Sequence, residues 1–234
     1  MKKPSFASKI KSFRVKVTLV LIVSMMFAVF LSNFFIYKFA LNAQFAQLRD
    51  KLKMVAQTAA LMVDGDELDR VPLNKDGINT PQYQDIARIL LKIKEANQPI
   101  RYIYTLRKTD KEGNLQFVVD PDSLTKAGRK AKFTSLPGDL YDASRFPDLL
   151  AAFSGPSADE ALSKDEWGVT LSGYAPIKDR SGNTIAILGV DMMASDVYLT
   201  QQAVHQRFQI VLLLGMAFSV LLGLLLSSRI TVPL

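Results

Sequence analysis

Eight residues in the middle of the chain offer recognition chemistry: Tyr102, Tyr104, Asp120, Tyr141, Asp142, Trp167, Tyr174 and Asp191. Tyr102 and Tyr104 stand two apart in RYIYTLRK and so share one strand face, presenting two rings and two hydroxyls. The same pair also fits plain half-buried sheet packing. Trp167, the only tryptophan, precedes Gly168 and reads either as a pocket wall or as the anchor of a long connection. Tyr174 falls on the strand face shared with Ser172. The acids sit at strand ends and turns: Asp120 and Asp122 after LQFVV, Asp139 and Asp142 flanking Tyr141, Asp191 closing AILGVD. If they converge they can receive an amine or hydroxyls, or hold a hard cation through oxygen. Their spacing matches no calcium loop, and turn formation or helix capping is the competing role for most of them. Arg101 and Arg107 share the opposite face and would suit a carboxylate, against the plainer reading of an exposed pair.

None of this is catalytic chemistry. The single histidine, His205, lies far along the chain from any serine on a sharp turn, so no hydrolase triad can be assembled. No glycine-rich phosphate loop and no paired histidines for zinc occur. The chain has no cysteine, which excludes disulfides, c-type haem attachment and thiolate metal sites. No cofactor and no metal is expected.

Two hairpins should position the candidates. RYIYTLRK, a turn at Lys111–Asn114 and LQFVVD form the first; SGYAPIK, a turn at Asp179–Gly182 and TIAILGV form the second, giving one antiparallel sheet. The strand Thr184 to Val190 reads as central and covered, and Asp191 as its exit. There the acid either caps the exit through backbone N–H groups or touches a ligand and couples occupancy to the following helix. A helix over Gln82–Ala96 is entered through Thr80-Pro81. Leu41, Phe45, Leu48, Leu52, Val55, Ala59 and Met62 recur at steps of four and three, one stripe of a helix that Asp64-Gly65-Asp66 stops. That stripe packs either on the domain's own sheet or on a second copy. Residues 121–168 form an irregular connection with a short helix near Phe146–Phe153, and Ser195–Arg207 is helix-compatible.

The ends of the chain are apolar. Val17–Tyr37 and Phe208–Ser228 carry no charge, and each is long enough for a hydrocarbon core of about 30 Å. The net charge of +7 would suggest nucleic acid if it lay on the folded middle, but all 22 acidic residues lie between Phe39 and Gln206. The basic excess flanks the apolar blocks, with Lys2, Lys3, Lys9, Lys11, Arg14 and Lys16 ahead of the first, so a nucleic-acid partner is excluded and the N-terminus is placed in the cytoplasm. The first block is too long for a cleaved signal and is read as a retained anchor. The expected organisation is a cytoplasmic N-terminus (1–16), a first span (17–37), an extracytoplasmic domain (38–207), a second span (208–228) and a short cytoplasmic end (229–234). Ser24, Ala28 and Ser32, and Gly215, Ser219 and Gly223, give each span a small-residue face for close packing.

The order of pieces after the first span, VDGDELDRVP, YIYTLRK, FVVDPD, PGDLYD, AFSG, WGVTLSGYAPI and AILGVDM, resembles the extracytoplasmic Cache (PDC, PAS-like) sensor domains of bacterial transmembrane receptors. SSRITVPL is similar to the first residues of a HAMP linker. The likeness covers most of residues 39–234. It implies an α+β membrane protein: a long N-terminal helix and a PAS-like antiparallel sheet that binds a small ligand between sheet and loops, in a two-pass protein of the bacterial inner membrane. It implies transmission through the second span and HAMP to a cytoplasmic output, a histidine kinase first, with a chemotaxis module or nucleotide cyclase as the alternatives. With Leu234 six residues past the span, a truncated receptor is expected, likewise a homodimer through the 41–62 helix and the spans. Two readings of other classes compete, a tethered hydrolase, which lacks a nucleophile and base, and a structural or assembly subunit binding through the heptad stripe.

Overall fold

The computed structural model describes residues 6–130 and 134–230. The chain divides into two compact units, Phe45–Leu199, and Met1–Gln44 with Thr200–Leu234.

The helix α1 runs Phe6–Leu61 without a break, as the stripe requires. In the central unit its Leu52, Ala56, Ala59 and Ala60 are buried in the core, with Phe45, Leu48 and Val55 packed against it. The stripe therefore packs largely on the domain's own sheet, and Met62 at its end is exposed. Asp64-Gly65-Asp66 does more than stop α1. The Asp64 carboxylate accepts the N–H groups of Asp66 and Glu67 and opens a second short helix, α2 (Gly65–Asp69). The helix α3 (Pro81–Ala96) is entered through the Thr80 hydroxyl, which accepts the Tyr83 N–H, and buries Tyr83, Ile86, Ala87 and Leu90.

The strands are β1 (Tyr102–Lys108), β2 (Asn114–Val119), β3 (Leu140–Asp142), β4 (Ser157–Ala158), β5 (Ser163–Asp165), β6 (Gly168–Lys178) and β7 (Thr184–Met193). The sheet order is β3-β2-β1-β7-β6-β4, with β5 also on β6, and every pairing is antiparallel. Short helices α4 (Lys126–Lys130) and α5 (Pro147–Ala151) lie in the long connection, and α6 (Ala194–Ile230) follows β7 directly. β7 joins the two hairpins because it pairs with β1 on one side and β6 on the other. Those partners extend past Val190, so β7 continues to Met193 and Asp191 lies inside the strand, which corrects its placement as an exit.

Period-two alternation sorts the central strands into two faces. Ile103, Leu188, Val190, Leu171 and Ala175 join the core beneath α1 and α3. Gly173 lies on this side, where a Cβ would stand 2.5 Å from the Leu52 carbonyl carbon, so only glycine lets α1 approach so closely. The opposite face carries Tyr102, Tyr104, Gly189, Asp191, Ser172 and Tyr174 in register.

In the other unit, α1 and α6 contain stretches long and apolar enough to cross a membrane. A Cβ at Gly215 or Gly223 would come within 2.9 Å of Val29 Cγ1 or 2.4 Å of Ile22 Cγ1, so this small-residue face receives the first helix. Ser24, Ala28 and Ser32 are exposed. Tyr37 Oη and His205 Nδ1 hydrogen-bond at 3.0 Å. The HAMP-like segment runs beyond residue 230, and its last four residues lie outside the described ones.

Candidate functional site

On the face away from α1, the sheet and the long connection line a small, partly open cavity of about 20 Å³. Six of the eight candidates line it: Tyr102, Tyr104, Asp120, Tyr141, Trp167 and Asp191. Four further lining residues, Ile103, Phe117, Ser135 and Asp165, were not singled out in the sequence. Phe117 could have been found, because alternation along the second strand of the first hairpin assigns it an inward face. Ser135 and Asp165 sit in aperiodic sequence, which carries no such signal.

Asp191 forms the floor. It pairs with Tyr102 on one side and Ser172 on the other, is 7% exposed, and accepts a hydrogen bond from Tyr104 Oη at 3.2 Å. Among the described lining residues there is no lysine, arginine or histidine to balance its charge. Burial pushes its carboxyl up to about 8; the carboxylates of Asp159 and Asp165 push the same way, against hydrogen bonds from Ser172 and Tyr104. Beside it the Tyr104 ring occupies the space where a Cβ on Gly189 would be, 2.6 Å from the ring. Glycine at 189 is what lets the ring lie flat over the strand. Burial raises the Tyr104 hydroxyl well above its ordinary value, with Asp191 adding to it.

The walls are aromatic. Phe117 stands 5.7 Å from Tyr104, 6.0 Å from Tyr141 and 5.6 Å from Trp167, centroid to centroid, and Tyr141 stacks on Phe146 at 5.7 Å. Tyr141 Oη donates to Asp165 Oδ2 at 3.1 Å, and Asp165 Oδ1 accepts the Trp167 N–H at 2.9 Å. Asp120 combines two jobs. It accepts the N–H of Asp122 at 2.9 Å as the cap of the turn Pro121–Leu124, and with its other oxygen the N–H of Ser135 at 2.9 Å. Burial lifts it to about 6, opposed by those two N–H groups.

Two candidates do not reach the cavity. Asp142 is exposed and accepts the Ser144 N–H and hydroxyl at 3.0 and 2.6 Å, the turn role open to it in the sequence. Tyr174 is buried, and its hydroxyl donates to Asp159 Oδ1 at 3.1 Å. Asp159 also takes Ser163 Oγ and the Ser172 N–H, and burial raises it to about 6. Of the remaining acids, Asp139 accepts the Leu136 N–H and Asp122 pairs with Lys94 at 2.5 Å. Arg107 is paired with Asp69, and Arg101 lies 5.6 Å from the Tyr102 ring outside the cavity. Among the described residues no group of three His, Cys, Asp or Glu side chains is placed to hold a metal ion.

A buried carboxyl under aromatic rings, with no cation among the described lining residues, is an arrangement that would receive a cation once ionised. The carboxylate supplies the charge and the ring faces add cation–π attraction of about 0.5–2 kcal/mol each.

No family model and no curated protein matches the chain. Solved structures do. The sensory domain of the Campylobacter jejuni chemoreceptor Tlp3 (CcmL) is 14% identical, with a TM-score of 0.50 over 76% of this chain and 66% of that one. The same domain with isoleucine bound is 13% identical, with a TM-score of 0.50 over 76% of this chain and 64% of that one. The Escherichia coli DcuS sensor domain is 21% identical, covering 69% of this chain and 98% of its own length at a TM-score of 0.42. The chain thus spans just under two thirds of the Tlp3 structures. At these identities the match defines a fold, the PAS-like fold of Cache-type extracytoplasmic sensor domains, as the order of sequence pieces implied.

Proposed function

We propose that the chain is a two-pass membrane receptor whose domain, residues 38–207, senses a small molecule bearing a protonated amine. The observation that carries this reading is the buried Asp191 carboxyl, with no cation among the described lining residues, beside Tyr102, Tyr104, Phe117 and Trp167. The cavity of about 20 Å³ holds one water-sized group, the size of an ammonium head. The rest of such a ligand extends toward the surface clefts that share Tyr102 on one side and Trp167 on the other. An amine fits better than a dicarboxylate, because the described lining is acidic. The isoleucine bound by the Tlp3 domain carries such a group.

Occupancy is relayed through β7, which leads without interruption into α6, toward a HAMP linker and a cytoplasmic histidine kinase; a chemotaxis module or cyclase fits the same sensor. The N-terminus and C-terminus lie in the cytoplasm and the domain outside, following the basic residues ahead of the first span. The receptor is a homodimer through the outer face of α1, where Met54, Leu61 and Met62 are 62%, 89% and 55% exposed beside an apolar groove shared with Ile89 and Ile93 of α3.

The test is a thermal-shift screen of the full chain in detergent against amines, amino acids and carboxylates. A ligand at 100 times its dissociation constant stabilises by about 2.7 kcal/mol. Amines are expected to raise the melting temperature and Asp191→Asn to abolish the response. Stabilisation by carboxylates alone would overturn the assignment.

A further inference from the structure

The partly open cavity and the surface cleft on its Trp167 side share Phe117, Ser135 and Trp167 as lining. The cleft, of about 310 Å³, adds Thr134, Asp139, Leu140 and Glu166. Charge of one sign runs from the inner space to the outer one. Asp120, Asp165 and Asp191 line the cavity, Asp139 and Glu166 the cleft, and no lysine, arginine or histidine lines either space among the described residues. Consecutive residues thus serve the two spaces, Asp165 the inner and Glu166 the outer. Both outer acids are exposed, and Asp139 uses Oδ2 to accept the Leu136 N–H at 2.8 Å, which leaves its carboxylate capacity for further donors. The surface shared between the acids is largely apolar: the Phe117 and Trp167 rings stand 5.6 Å apart, and Leu140 beside them is 66% exposed. The cleft on the Tyr102 side has another character. It carries Lys94 and Arg101 as well as Glu95 and Asp122, and Lys94 pairs with Asp122 at 2.5 Å.

We propose that the ligand is a diamine or longer polyamine, with one ammonium on Asp191 and a second in the cleft of Asp139 and Glu166. This rests on reading the cavity as an amine site and names the class of amine. A cleft lined by charge of one sign concentrates the opposite charge, and of the two clefts beside the cavity only the one on the Trp167 side is lined that way. A chain that leaves Asp191 past Phe117 and Trp167 meets apolar groups first and carboxylates beyond them. That order, charge then hydrocarbon then charge, is the order of groups along a polyamine. A monoamine leaves Asp139 and Glu166 unused, and an amino acid brings a carboxylate into spaces whose described charges are all negative.

Three compounds of one chain length separate these cases: butylamine, 1,4-diaminobutane and 4-aminobutanoate, with their hexyl counterparts as a longer set. The full chain in phosphatidylcholine nanodiscs, which carry no net lipid charge, is titrated with each by calorimetry at low salt, and empty nanodiscs are subtracted. The better diamine is expected to bind about fivefold more tightly than its monoamine, which corresponds to ~1 kcal/mol, the upper range for an exposed ion pair. The amino acid should bind most weakly, and added salt should shrink the diamine preference. The double variant Asp139→Asn, Glu166→Gln should bring the diamine-to-monoamine ratio close to one, and Glu166→Gln alone should lower it if the double variant fails to fold. Asp142→Asn, which lines neither space, should keep the wild-type ratio. Monoamine binding with no diamine preference would overturn the polyamine assignment and leave the amine reading standing. A preference that survives in the double variant would overturn the cleft as the second subsite, and failure of every amine to bind would overturn both readings.

Discussion

At Asp191 a carboxyl is held between two strands with no cation among the described lining residues, and its titration makes recognition testable. Below about pH 4 the group is protonated in folded and unfolded chains alike. From there to about 8 only the folded chain keeps the proton, and above 8 the folded chain carries a buried charge. Without ligand, this residue therefore makes stability fall as pH rises through that window, and Asp120 and Asp159, lifted to about 6, act in the same direction in its lower part. Thermal unfolding of wild type against Asp191→Asn should show the variant gaining relative stability from pH 5 to pH 8; a constant difference would contradict the buried acid. Ligand binding has the opposite pH sign. An ammonium favours the ionised carboxyl and expels its proton, so amine affinity should rise with pH until Asp191 ionises unaided near 8. Sequence alone could list Asp191 as a cap or a ligand contact, and could not decide between them. The deciding facts are its neighbours Tyr102 and Ser172, brought in by pairings 89 and 19 residues away along the chain.

At the scale of elements, two glycines in the second hairpin set how close other parts approach the sheet, one on each face. Gly173→Ala drives a methyl into the Leu52 backbone, and Gly189→Ala drives one into the Tyr104 ring. Each is expected to lower stability by about 1–3 kcal/mol, the usual cost of overpacking, read by denaturant unfolding. Gly189→Ala should also weaken amine binding, because the ring it displaces roofs the Asp191 carboxyl. Gly173→Ala should leave binding unchanged once the protein is saturated with folded state. The hairpins, the Thr80-Pro81 start of α3 and the unbroken α1 were legible because local alternation, helical spacing and capping chemistry set them. The end of β7 was not, since a strand stops where its partners stop, and β1 lies far away in sequence. Trp167 was legible as a pocket wall or an anchor, and the choice was not, because its ring neighbours Tyr141 and Phe117 lie 26 and 50 residues away along the chain.

For the whole molecule, the proposed receptor would report occupancy through the two helices that continue from the domain into apolar stretches. The absence of native cysteine makes the proposed dimer seam easy to probe. A single cysteine in place of Leu61, 89% exposed, should give a disulfide-linked dimer on oxidation in membranes, whereas one in place of Ala56, fully buried against the sheet, should not. Cross-linking at neither position, with a monomer by sedimentation, would remove the α1 face from the interface.

The most direct test of the receptor reading is calorimetric titration of the full chain with a panel of primary amines and amino acids at pH 6 and pH 8. Wild type is expected to bind at least one amine more tightly at pH 8, releasing protons at pH 6, and Asp191→Asn to lose at least tenfold in affinity, as removal of a charge-assisted contact worth about 1.5–3 kcal/mol requires. Binding of equal strength in Asp191→Asn, or tighter binding at pH 6 than at pH 8, would contradict it.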